Sequence, residues 1–416
     1  MIQKNTHTKT PKLRFPEFFD NWKDSTIEEN CELKGRIGFR GYTKKDLVDK
    51  DDGVLVLGGK HIQGNVLNLS EPTYLSWDKY FESPEIMVKM HDIIFSQRGS
   101  LGDCALIDSD IGEATINPSM VLIKKISCDY RFLFYILVGN SIQKQVKSIS
   151  TSTAVPMLSQ KQIKNFSFKL PELSEQQKIA SFLSEVDKKI NLLQQKKSLL
   201  EDYKKGVIQQ IFSREIRFKP KDGGEYPEWE EKKLGEICKL QGGFAFKSSL
   251  FKKAGIPIIR ISNISNSNNY IDQENVVYYE AFEINTNYIL TKGDLIVAMS
   301  GATTGKASIY DLEEIGYLNQ RVGVFRPESN LLNTYLTQFV FSDKFRVQLD
   351  SVLVAGAQPN ISSKDIENFE IPIPSIEEQT QIANFLSALD EKIQLVAEAL
   401  EATQQFKKGL LQQMFV

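Results

Sequence analysis

The chain is poor in the residues on which metal sites and acid–base chemistry draw. It has three histidines, His7, His61 and His91, and four cysteines, Cys31, Cys104, Cys128 and Cys238. No two histidines have ligand spacing and no C-x-x-C occurs, so no metal site is expected. Cys31 and Cys238 fall at matching points shortly after two tryptophans, which favours buried, reduced thiols over disulfides. No apolar run approaches the ~20 residues that cross a bilayer. The opening MIQKNTHTKTPK lacks the apolar stretch of a signal peptide, so a cytoplasmic protein with no membrane partner is expected. A charge excess is missing too. With 51 Lys and Arg against 53 Asp and Glu the net charge is -2, unlike a generic polyanion binder. Local basic patches can still meet nucleic acid, and acidic surface remains for protein partners.

Catalytic motifs are also absent. Gly301-Ala302-Thr303-Thr304-Gly305-Lys306-Ala307 resembles a phosphate loop, but three residues rather than four separate its glycines. It also ends in Ala, leaving no hydroxyl for Mg²⁺. Asn117-Pro118-Ser119-Met120 resembles the N-P-P-aromatic loop of amino-methyltransferases, yet it lacks the second proline and the aromatic. A turn is the simpler reading of both. No serine or histidine pairing suggests a nucleophile and its base. No catalysis and no cofactor are expected.

What the chain does have is a second copy of itself. PELSEQQKIASFLSEVDKKINLLQQKKSLLEDYKKGVIQQIF, Pro171 to Phe212, recurs 203 residues later as PSIEEQTQIANFLSALDEKIQLVAEALEATQQFKKGLLQQMF, Pro374 to Phe415, with 18 of 42 positions identical. The repeat reaches further back. Trp22 and Trp229 open the two halves, Ile27 matches Leu234, and Leu33 matches Leu240. Asp92–Phe95 matches Asp294–Val297, and Asn117 matches Asn319. Between these anchors the halves diverge into polar, loop-like stretches, where specificity is usually carried. At 416 residues two or more cores are expected. The boundaries suggested are a loose tail at 1–11, a first domain at 12–170 and a helix at 171–215. A second domain at 216–373 and a second helix at 374–416 follow.

Each domain reads as α+β. Val54–Leu57, Asp92–Ser96, Met120–Lys124, Ile258–Ile261, Asp294–Ala298 and Val322–Phe325 are short, apolar and rich in β-branched residues, and read as strands. Tyr130–Lys147 and Asn333–Val352 read as single helices. Polar loops at Ser148–Thr153 and Ala355–Pro359 follow, then strand-like exits at Phe166–Leu170 and Phe369–Ile373.

The repeated segments carry a heptad stripe. Its seats are Ile179, Leu183, Val186, Ile190, Leu193, Leu200, Val207 and Ile211 in the first copy, with Lys197 and Lys204 interrupting. In the second they are Ile382, Leu386, Leu389, Ile393, Val396, Leu400, Leu410 and Met414, with Thr403 and Lys407 interrupting. Ser174 with Gln177, and Ser375 with Glu378, suggest capping boxes at the two starts. A helix of some forty residues is about 60 Å long, and with one apolar face it needs a partner. Each helix is the obvious partner of the other. Antiparallel packing would give two similar domains separated by two long coiled-coil helices, a pseudo-twofold repeat within one chain.

With that arrangement, the chain resembles the specificity subunit of type I restriction–modification systems. The match rests on LRFPEF at Leu13–Phe18 and its echo EYPEWEEKKLGEI at Glu225–Ile237, on the paired LPELSEQQKIASFLSEVDKKI and IPSIEEQTQIANFLSALDEKI, and on YKKGVIQQIF and FKKGLLQQMF. The resemblance implies two target-recognition domains, each reading half of a split, asymmetric double-stranded DNA site. It implies helices that set the gap and dock two methyltransferase subunits, through which motor–nuclease restriction subunits join. The alternatives are a coiled-coil scaffold that never touches DNA and the recognition part of a self-contained restriction enzyme.

Cationic and amide side chains near the glycine-bearing loops are the candidate DNA contacts, because Arg and Lys pair with guanine edges and phosphates, and Asn and Gln with adenine. In the first domain they are Arg36, Arg40, Lys44, Lys45, Lys60, Gln97, Arg98 and Ser100. In the second they are Lys247, Arg260, Asn263, Thr303, Thr304, Lys306, Gln320, Arg321 and Gln358. A solvated surface side chain is the competing reading for each.

Overall fold

The computed structural model describes residues 10–150, 156–264, 269–355 and 360–416. The chain divides into two compact units. One runs up to Gln194 and adds Glu398–Val416; the other is Gln195–Ala397. Each unit therefore owns one half of each long helix.

The first unit holds two four-stranded sheets. One orders Glu32–Gly35, Met120–Lys124, Ile93–Ser96 and Cys104–Leu106, all antiparallel. The other orders Ala114–Ile116, Gly53–Leu57, Tyr74–Ser76 and Leu47–Val48, with its first pair parallel. Ile93–Ser96 is buried throughout, which is why it lacks a period-two pattern. A two-stranded ribbon, Lys23–Thr26 against Ser167–Leu170, ties the domain's entry to its exit.

The second unit repeats the plan. Cys238–Gly242, Val322–Pro327, Leu295–Ala298 and Ala307–Ile309 form one sheet. Val277–Tyr279, Ile256–Ile259, Gly316–Leu318 and Ile289–Leu290 form the other, which also has one parallel pair, here at its centre. Glu230–Lys233 against Glu370–Ile373 is the matching ribbon. Equivalent backbone bonds confirm the alignment: Ile27 N–H donates to Phe166 O at 3.1 Å, and Leu234 N–H to Phe369 O at 2.8 Å.

Three expectations need correction. Each domain-closing helix is two helices, Tyr130–Val138 and Asn140–Ser150, then Asn333–Val340 and Asp343–Ala355. Gly139, in extended backbone, breaks the first pair. Ser148–Ser150, expected in a loop, is helical. Finally, the long helices run Leu173–Phe212 and Ile376–Gln413, so the residues preceding them are Glu172 and Ser375. Ser174 lies inside the first turn, with its Oγ turned to Glu172. Ser375 does accept from the Glu378 N–H at 3.3 Å, but Glu378 does not reach back.

Within each unit the two half-helices run antiparallel. In the first, Ile179, Ala180, Leu183 and Val186 share a core with Leu410, Met414 and Phe415. In the second, Val207, Ile208, Ile211 and Phe212 share one with Ile382, Leu386 and Leu389. Both cores also take in the domain helices, through Phe132 and Leu133 in one and Tyr335 and Phe339 in the other. Burying each of the larger aliphatic and Phe side chains among these stabilises by about 1.5–3 kcal/mol. Of the remaining seats, Val396 is buried, while Ile190, Leu193, Leu200, Ile393 and Leu400 are half-buried.

Candidate nucleic-acid interface

In each domain four chain segments meet along one rim. In the second domain they are the strand exits at Gly242–Lys247, Ile259–Asn263 and Ala298–Lys306, and the turn at Leu318–Val322. Backbone bonds join them: Phe244 N–H to Leu318 O at 2.8 Å, Asn319 N–H to Ile259 O at 3.1 Å, and Met299 N–H to Arg321 O at 2.9 Å. Thr303 Oγ1 donates to Ile261 O at 3.2 Å. Gly243 allows the closest approach, since a Cβ there would fall 2.1 Å from Asn319 O. The first domain repeats this with Asn117 N–H on Leu57 O at 2.8 Å and Gln97 N–H on Ser119 O at 2.9 Å.

The rim gathers most of the candidates. Lys60, Arg98, Ser100, Lys247, Lys306, Gln320 and Arg321 are exposed there. Arg98 Nε lies 3.0 Å from Met157 Sδ. Gln97 spends its amide on Pro118 O at 3.0 Å, and Thr304 its hydroxyl on Gly301 O at 2.6 Å. Arg40 faces Glu85 at 3.4 Å, and Arg260 donates to Asn275 O at 2.9 Å. Lys44 and Lys45 stand apart, on the turn before Leu47–Val48, the outermost strand of its sheet. Gln358 lies outside the described residues.

Two candidates are corrected. Arg36 is buried and braces the rim from below, through Ile116 O, Arg40 O, Ser83 and Thr115 at 3.2–3.4 Å. Asn263 is fully buried, accepting from Arg260 N–H at 3.0 Å and donating to Asp272 O at 3.1 Å. Burial of polar side chains is not legible from residue type, because each becomes a brace only once its partners converge.

The loop at Gly301–Lys306 is a turn. Its Thr304, Gly305 and Lys306 N–H groups donate to Gly301, Ala298 and Thr303 carbonyls at 2.7–3.1 Å, leaving none of the three to cradle a phosphate. Asn117 Oδ1 accepts from the Ser119 N–H and hydroxyl, also a local turn. Among the described residues no metal-holding cluster occurs, and no helix is long and apolar enough to cross a membrane. All four cysteines are free thiols, and burial pushes Cys31, Cys128 and Cys238 up to about 12.

Two devices hold each domain to the long helices, and each occurs twice. Glu175, fully buried at the start of the first long helix, accepts from Arg14 at 2.7 and 2.8 Å and from Trp22 Nε1 at 3.1 Å. Glu378 accepts from Arg217 at 3.3 and 2.9 Å and from Trp229 Nε1 at 2.8 Å. Asp187 pairs with Lys407 at 2.5 Å, and Asp390 with Lys204 at 2.6 Å. Each aspartate also meets a domain helix, Asp187 through the Tyr135 hydroxyl at 2.8 Å and Asp390 through Gln338 at 3.4 Å. Lys204 and Lys407 interrupt the heptad stripe, and both make these ion pairs; Lys407 also lies over the Tyr135 ring, 5.7 Å from its centroid.

The model of the type I restriction modification DNA specificity domain matches residues 19–202 and 226–404, and the chain belongs to that family. It is 28% identical over 340 residues to the type I restriction enzyme MjaVIII specificity subunit of Methanocaldococcus jannaschii, covering 79% of each chain. It is 32% identical over 178 residues to the EcoAI specificity subunit of Escherichia coli, covering 41% of this chain and 29% of that one. The crystal structure of a type I restriction–modification S subunit from M. genitalium superposes with a TM-score of 0.64 at 18% identity, covering 98% of this chain and 99% of that one. That likeness is one of fold.

Proposed function

We propose that this chain is the sequence-reading subunit of a type I restriction–modification complex. It binds a bipartite, asymmetric stretch of double-stranded DNA. Each rim reads one half-site, and the helices fix the gap. The observation that carries this reading is the pair of unlike rims mounted on equivalent frames. One frame presents Lys60, Arg98 and Ser100; the other presents Lys247, Lys306, Gln320 and Arg321. Two methyltransferase subunits dock on the duplicated helices, and restriction subunits join through them. The chain performs no chemistry itself and works in the cytoplasm.

Sequencing methylated bases in cells that express the chain with its modification subunits should return one split, non-palindromic motif. Removing one heptad from each long helix, 193–199 and 395–401, should shorten the gap by about 10 Å, roughly three base pairs. An unchanged gap after that deletion contradicts the spacing role. Salt-independent binding by the assembled complex contradicts a DNA-reading role altogether.

A further inference from the structure

Ile37 and Phe244 follow equivalent strands of the two frames at the same distance along the chain. Gly35 pairs with Val121 and Gly242 with Gly323, at the same step of equivalent strands. Two residues further on, Ile37 is 39% exposed and Phe244 37% exposed. Single exposed apolar side chains are ordinary on protein surfaces. These two lie the same two residues beyond equivalent strand positions, inside loops that otherwise differ.

Phe244 is also firmly placed. Its N–H is held by Leu318 O, and it bridges to Asn319 in the rim turn. Its ring centroid lies 5.0 Å from Phe246, 5.6 Å from Tyr288 and 6.1 Å from Phe282. Phe246 fills the space beneath, stacked on Tyr317 at 5.5 Å, so the Phe244 ring stays at the surface. The side chains around it suit a polyanion. Lys247 is three residues on, and Gln320 and Arg321 follow Asn319; all three are exposed. On the Phe282 side, Glu280 is paired with Lys252 at 2.7 Å and Glu283 is exposed.

An apolar side chain amid cations on a DNA-facing rim has a specific complement. The apolar group that base pairs present in the major groove is the thymine methyl. We propose that Phe244 contacts a thymine methyl in the half-site read by the second domain, and that Ile37 does the same in the first. This inference rests on the DNA-reading function proposed above.

The test uses the full chain assembled with its modification subunits and duplexes carrying the methylation-mapped site. Each thymine of a half-site is replaced in turn by deoxyuridine, which lacks only the methyl. One replacement should weaken binding by the wild-type chain about fourfold, the worth of one buried methyl-sized group. Phe244→Ala should bind the thymine duplex less well and show no further loss with deoxyuridine at that position. Phe244→Leu should retain part of the discrimination. A half-site without thymine, deoxyuridine tolerated everywhere, or equal deoxyuridine losses in wild type and Phe244→Ala would each overturn the proposal. If Phe244→Ala does not fold, Phe244→Leu supplies the comparison, and a deoxyuridine loss equal to that of wild type in that variant would overturn the proposal. Failure of the complex to bind any defined site would instead sink the proposed function.

Discussion

At the residue scale, buried polar side chains brace each domain. Glu378 is buried with three charge-assisted or indole hydrogen bonds on its carboxylate. Glu378→Gln keeps the shape but removes the charge that Arg217 faces. It should cost about 2 kcal/mol, read as a lower urea midpoint with an unchanged slope. His61 is the pH-sensitive brace. It is buried, its Nδ1 accepts from the Gly58 N–H at 2.9 Å, and burial lowers its pKa below the ordinary value. The folded state thus holds the neutral ring, and the unfolded chain takes up the proton first as pH falls. Stability from this ring is fully present above about pH 6.5 and drains away below it. The thermal midpoint of wild type should fall more between pH 7.5 and pH 5.5 than that of His61→Gln. Charge and loop position pointed to Lys60, Arg98 and Lys306 in the sequence. They could not separate these from Arg36 or Asn263, whose burial depends on strands distant in the chain.

At the element scale, the long helices were the most legible part. Their heptads span some forty residues, and a 3.5-residue period is hard to produce by chance. What the pattern hid was the use of its breaks. Lys204 and Lys407 read as interruptions, yet each meets an aspartate 203 positions from the other's partner. Asp390→Leu should strand Lys204 in a nearly buried seat. The loss should be about 2 kcal/mol, below the range for fully buried pairs because Asp390 keeps 30% of its side chain exposed. Adding Lys204→Met should recover most of that loss in chemical denaturation. The domain strands were partly legible as apolar β-branched runs. Of the ribbons, the exit strands at Phe166–Leu170 and Phe369–Ile373 were legible, but their partners were not, because Lys23–Thr26 and Glu230–Lys233 are polar, charged segments with no apolar alternation.

At the scale of the whole molecule, the proposed function uses duplication to give one chain two half-site specificities. The frames agree down to single backbone bonds, while the rims differ in every exposed side chain named above. Recognition should therefore be modular. The most direct measurement is methylation mapping after residues 22–170 are replaced by the corresponding domain of another family member, in cells that supply the modification subunits. The account predicts that one half-site changes while the other half-site and the gap stay as they were. A motif altered in both halves, or left wholly unchanged, would contradict it.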